Sequence, residues 1–128
     1  MKANYKLALT LLTGAALGAA AIQGLHAQAK PPSYVVVDIS EITDPTGFKV
    51  IAQNSPARTA AFKEFGGHYI ARTDKITALD GAAPKRFIVI AFDSPEKAQA
   101  WNNSTTQKEV NATRAKTTKS RSFIVEGM

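Results

Sequence analysis

The chain has 128 residues, with 16 Lys and Arg against 10 Asp and Glu, a formal net charge of +6, two His and no Cys. A composition that is 45% hydrophobic and 20% charged is that of an ordinary globular protein, and the length allows one small domain behind any leader. The lack of cysteine excludes disulfide staples and thiolate metal sites, and basic residues scattered among acids, with no arm or stripe, argue against a nucleic-acid partner.

The chain opens "MKANYKLALTLLTGAALGAAAIQGLHAQAK", with Lys2 and Lys6 ahead of an apolar run over 7–22. That run falls short of the roughly 20 apolar residues that a bilayer core of about 30 Å demands. A basic start, a short apolar centre and the small-x-small sequence Ala27-Gln28-Ala29 read as a secretory signal peptide over 1–29, cut after Ala27 or Ala29. A retained N-terminal anchor is the alternative, and a lipid-anchored form cut at cysteine is excluded. Export to a bacterial periplasm follows, with no membrane attachment once the leader is gone. Loss of Lys2 and Lys6 lowers the formal charge from +6 to +4, since 6 − 2 = 4 and no acid lies in the leader. A small exported domain without disulfides must take its stability from packing or from a partner.

Residues 30–33 form a short linker, and the domain runs over 34–128. "SYVVVDIS" reads as a strand apolar on both sides, with Val35, Val37 and Ile39 facing one way and Tyr34, Val36 and Asp38 the other. Asp44-Pro45 starts a helix with Phe48 and Ile51 inward, and Ser55-Pro56 starts a second over 56–65 with Ala61, Phe62 and Phe65 inward. Gly66 supplies a left-handed helix stop and Gly67 the reversal into the strand "HYIAR". "ITALDG" is expected as a short extended piece. "RFIVIAF" alternates Phe87, Val89 and Ala91 against Ile88, Ile90 and Phe92. Ser94-Pro95 starts a helix carrying Ala98 and Trp101, Asn102-Asn103-Ser104 interrupts it, and a helix over 105–116 resumes with Val110 inward. A closing strand covers 121–127.

The order βαββαβ predicts an α+β, ferredoxin-like fold, a four-stranded antiparallel sheet with helices on one face. The first and third strands, expected at the centre, carry apolar residues on both sides. Helices roof one side, so the other would leave a contiguous apolar patch in water. Covering a few hundred Å² per copy at about 25 cal/mol per Å² contributes several kcal/mol, and a homodimer pairing sheet to sheet is the expected partner.

Taken in order, "FGGHYIART", "LDG", "RFIVIAFDSPEKAQAWNNS" and "RAKTTKSRSFIVEG" resemble the family of domain of unknown function 1330, of the dimeric α/β-barrel group. The likeness spans nearly all of 34–127 and implies the same fold and a sheet-to-sheet dimer, with no assigned activity. The family's pattern carries over at Asp44, Gly66, Gly67, Arg72, Gly81, Phe92, Trp101, Ser104, Arg114, Glu126 and Gly127. Two positions depart from it: Ala91 stands where members usually have glutamate, and Gln107 where they usually have tyrosine.

Among groups that carry chemistry, His68 is the one histidine left after cleavage, and imidazole suits proton transfer near neutral pH. Asp38, central in an apolar strand, is a second proton-transfer candidate, with a salt bridge to a neighbouring arginine as the alternative. Candidate ligand contacts are Arg72, sharing a strand face with His68 and Ile70, together with Trp101, Ser104 and Arg114. Each has a plainer reading: an edge-strand arginine, a core indole, a helix start, and an ion-paired helix face beside Glu109. No metal motif, nucleotide loop or Ser-His-Asp order is present, and no cofactor or metal is expected. Three functions stay open: binding of a small organic molecule between helices and sheet, a cofactor-independent oxygenase or isomerase, and a structural domain without a pocket. A cavity holding His68 or Asp38 would favour the enzyme; an apolar cavity with Arg72 or Arg114 at its mouth would favour binding.

Overall fold

A computed structural model describes residues 31–128; the expected signal peptide lies outside these residues. Strand β1 spans Ser33–Ile42, followed by helices α1 (Pro45–Ala52) and α2 (Pro56–Glu64) and strands β2 (His68–Thr73) and β3 (Arg86–Phe92). Helices α3 (Pro95–Asn102) and α4 (Thr105–Thr117) and strand β4 (Thr118–Glu126) complete the domain. Ser33, read as linker, is the first residue of β1. None of the described helices is long and apolar enough to cross a membrane.

Each helix begins at a side-chain oxygen that accepts an otherwise orphaned N–H. Asp44 accepts from Gly47, Ser55 from Arg58, Ser94 from Lys97 and Ser104 from Gln107. Proline follows three of these caps, where its missing N–H costs nothing. Gly66, at φ 70°, ends the turn after α2, a conformation that costs a side chain but not glycine.

The strands pair antiparallel in the order β2-β3-β1-β4, the ferredoxin-like arrangement, with β1 and β3 central. The α+β class and topology are those expected. The segment 76–81 is not a strand, and Leu79 there is 99% exposed. β2 and β3 pair directly with each other, so the loop that joins them places no strand between them. β4 starts three residues earlier than expected because polar Thr118, Lys119 and Ser120 pair with Ile42, Glu41 and Ile39.

Two bulges set which side chains face the helices. In β1 the register slips at Ser40, so Ile42 returns to the core side. In β2 it slips between Tyr69 and Ala71, so Ile70 has no partner. Tyr69 and Arg72 therefore stand level with Ile90 and Ile88 on the helix side, while His68 and Ala71 stand level with Ala91 and Val89 on the other. The expectation that Arg72 and His68 share a face fails for this reason: one extra residue inverts the alternation between them.

The core lies between helices and sheet, built from Val37, Ile39, Ile90, Phe92, Trp101 and Val110, with Phe62 and Phe65 packed against it. Phe62 links its aromatic part, stacked on Tyr69 at 4.8 Å and edge-on to Trp101 at 6.0 Å. On the far side of the sheet, Val36 stands between Val89 and Phe123, and Tyr34 between Ala91 and Val125. Phe123 is 43% exposed there, so an apolar band crosses the open face.

Candidate functional site

A cleft opens between the helices and the helix-facing side of the sheet. One lobe, of about 40 Å³, is walled by core residues such as Ile39, Phe48 and Val110 and by four arginines, Arg58, Arg72, Arg86 and Arg114. A second lobe, of about 120 Å³, is walled by Phe62, Tyr69 and Trp101 with Asn54, Thr59 and Gln107. Arg58, Tyr69, Trp101 and Gln107 border both lobes, so the two adjoin.

Helical spacing explains how cations reach an apolar cleft. Arg58, Ala61, Phe62 and Phe65 recur at three- and four-residue intervals along and just past α2, so the face that buries Phe62 carries Arg58 with it. On α4 the series Gln107, Val110, Asn111, Arg114 does the same. Arg114 therefore points with Val110, not with Glu109.

The guanidinium groups are anchored by neutral acceptors. Arg58 Nη1 donates to the carbonyls of Ile51 (2.5 Å) and Gln53 (2.9 Å). Arg72 donates from Nη2 to Ala52 O (2.5 Å) and from Nη1 to Asn54 Oδ1 (3.1 Å), and lies 5.3 Å from the centre of the Tyr69 ring. These carbonyls are the open C-terminal end of α1, which carries the negative end of the helix dipole. Arg114 Nη2 donates to Asn111 Oδ1 (3.0 Å), which also accepts from Gln107 Nε2 (3.0 Å), while Asn111 Nδ2 donates to Asn102 Oδ1 (2.9 Å).

Among the described residues no carboxylate pairs with any of these four arginines; the three ion pairs are Lys97–Asp93, Lys119–Glu41 and Arg121–Asp38. Burial holds the Arg58 guanidinium below the ordinary arginine range; Tyr69 opposes that shift, and the like charge of Arg72 adds to it. Burial likewise lowers Arg114, with the charge of Arg58 acting in the same direction. Positive charge is thus gathered in a partly dry place without a counter-charge among the described residues, an arrangement that an anion relieves.

The residues singled out from sequence divide between the two sides of the sheet. Arg72, Trp101 and Arg114 line the cleft. Ser104 does not: its hydroxyl donates to Trp101 O at 2.7 Å and accepts from Gln107 N at 3.3 Å, which commits it to the start of α4. His68 is exposed on the open face. Asp38 lies on that face too, its side chain 19% exposed and its Oδ2 3.2 Å from Arg121 Nε. Of the two departures from the family pattern, Gln107 borders both lobes, whereas Ala91 faces the open side. Arg58, Tyr69 and Arg86 were not singled out; the helical spacing of Arg58 with Phe62 was the available signal, whereas Tyr69 and Arg86 have none of comparable strength. The described residues hold no cluster of His, Asp and Glu fit for a metal.

Fold and cleft together define a ferredoxin-like α+β domain with an arginine-lined hollow beneath its helices. Residues 32–128 match the family described as "Domain of unknown function (DUF1330)", and the chain belongs to that family. No curated protein matches it. Among solved structures it is similar to a protein of unknown function from Rhodopseudomonas palustris, at 13% identity and TM-score 0.57, covering 77% of this chain and 84% of that one. It is similar also to SnoaB, a cofactor-independent oxygenase from Streptomyces nogalater, at 9% identity and TM-score 0.52, covering 77% and 94%. A third is a putative antibiotic biosynthesis monooxygenase from Nitrosomonas europaea, at 14% identity and TM-score 0.51, covering 77% and 92%. At these identities the likeness is one of fold.

Proposed function

We propose that this protein is an exported homodimer that binds a small organic molecule in the cleft between helices and sheet. The observation that carries the reading is the cleft itself: an apolar and aromatic lining into which four arginines, unpaired with any described carboxylate, are brought together. Ligand sites are concave and mostly apolar, with a few convergent polar groups, and this cleft has that make-up. Turnover of the kind that SnoaB carries out is the other reading. It is less favoured, because His68 and Asp38, the proton-transfer candidates, stand on the far face of the sheet.

The homodimer rests on the apolar band from Tyr34 and Val36 to Phe123 and Val125, which a second copy would cover. Export to the periplasm rests on the basic and apolar start of the chain and its Ala27-Gln28-Ala29 site. Native mass spectrometry of protein purified from its own cells tests all three parts at once. The expected species has twice the mass of a chain shortened by 27 or 29 residues, plus a small organic molecule. A full-length single copy without added mass would contradict the reading.

A further inference from the structure

The two lobes differ in a way that defines what would fill them. The arginine lobe is small: about 40 Å³ accommodates about three water molecules, or one flat three-atom group. The adjoining lobe is three times larger, walled by three aromatic rings and short of charge apart from Arg58 at its border. Guanidinium offers a planar fork matched to a planar oxyanion. Arg58 donates both of its hydrogen bonds from Nη1, so among the described residues its Nε–Nη2 edge, the bidentate one, has no acceptor. Arg114 spends a single bond from Nη2.

We infer that the ligand is an aromatic carboxylate, its carboxylate held by Arg58 and Arg114 in the smaller lobe and its ring lying among Phe62, Tyr69 and Trp101 in the larger. This rests on the reading of the cleft as a ligand site and adds the chemical class. Asn111, held by Asn102, positions Arg114; Asn54 and Ala52 position Arg72, which adds charge without needing to touch the ligand. An inorganic anion would leave the aromatic lobe unfilled, and a neutral ring would leave the arginines unrelieved.

Trp101 is the single tryptophan and borders both lobes, so its fluorescence reports on the site. The purified protein is titrated with benzoate, benzamide, phenyl phosphate and inorganic phosphate. Benzoate is expected to change the emission saturably, and benzamide to bind about tenfold or more weaker, the worth of a charge-assisted hydrogen bond. Arg114→Gln is expected to weaken benzoate by a similar factor and benzamide by clearly less, while Arg114→Lys, which keeps charge but loses the fork, falls between for benzoate. Benzamide binding as tightly as benzoate would overturn the inference and leave the cleft a site for neutral molecules. Tighter binding of phenyl phosphate than benzoate, or of inorganic phosphate alone, would overturn the carboxylate assignment. If no aromatic probe binds, the inference fails, and the co-purified mass in the native spectrum then decides whether the cleft reading survives.

Discussion

The guanidinium of Arg72 lies 5.3 Å from the centre of the Tyr69 ring, three residues earlier on the same strand. Residues three apart on a regular strand face opposite ways. Here the unpaired Ile70 between them brings both to the helix side, where Arg72 reaches Ala52 O and Asn54. Deleting Ile70 removes only the unpaired residue and leaves Tyr69 and Arg72 two apart on a regular strand, so both should stay on the helix side and the variant should melt near the wild type. Arg72→Ala instead leaves Ala52 O without its partner, at an expected cost of about 1–3 kcal/mol, read as a fall in Tm of roughly 4–8 °C per kcal/mol.

Arg114 is a half-buried cation without a described counter-ion, and burial disfavours its charged form. Removing a charge of that kind relieves a desolvation cost, whereas breaking a true buried ion pair costs about 3–5 kcal/mol. Arg114→Met is therefore expected to melt at or above the wild-type temperature in the absence of ligand, despite the lost bond to Asn111. A fall of many degrees in calorimetry would show that Arg114 is a structural partner instead.

Gly66 and Gly67 should respond differently to alanine. At Gly66 the penalty is backbone strain at φ 70°, in otherwise open surroundings, and about 1 kcal/mol is expected. At Gly67 a Cβ would stand 2.8 Å from Phe92 Cε1 and 3.1 Å from Phe62 Cε2. That clash reaches the aromatic wall of the cleft and should cost about 1–3 kcal/mol. Gly67→Ala should also shift the Trp101 emission, because Phe62 and Phe92 both pack on that indole. Gly66→Ala should leave the emission unchanged.

The open face makes a prediction about assembly. Phe123 is 43% exposed in a single copy, so lysine there is tolerated by the protomer but would be buried opposite apolar residues in a sheet-to-sheet dimer. Sedimentation at micromolar concentration is expected to give a dimer for the wild type and a folded monomer for Phe123→Lys. A wild-type monomer would remove the dimer from the account.

Local signals carried much of this fold. Asp44, Ser55, Ser94 and Ser104 announce helix starts through short-range chemistry, and the alternation in "YVVVDI" and "RFIVIAF" places two central strands, so the α+β topology was legible. The bulges were not. Ile70 looks like any strand residue, and its lack of a partner is decided by β3 and by the helices that draw Tyr69 and Arg72 inward. The same blindness split the candidate site. Period-two spacing puts Arg72 and His68 on one face in sequence, and the charge of Arg114 pairs it with Glu109 although its spacing ties it to Val110. Arg58 was concealed in the same way, since a cation on a helix face reads as solvated until the apolar residues three and four places later are set beside it.

Anomalous scattering from a crystal soaked with 3-bromobenzoate locates the halogen without ambiguity and so tests the aromatic carboxylate in the cleft directly. Bromine is expected among Phe62, Tyr69 and Trp101, with the carboxylate within hydrogen-bonding distance of Arg58 and Arg114. Bromine on the opposite face of the sheet, or a cleft left empty at saturating ligand, would contradict it.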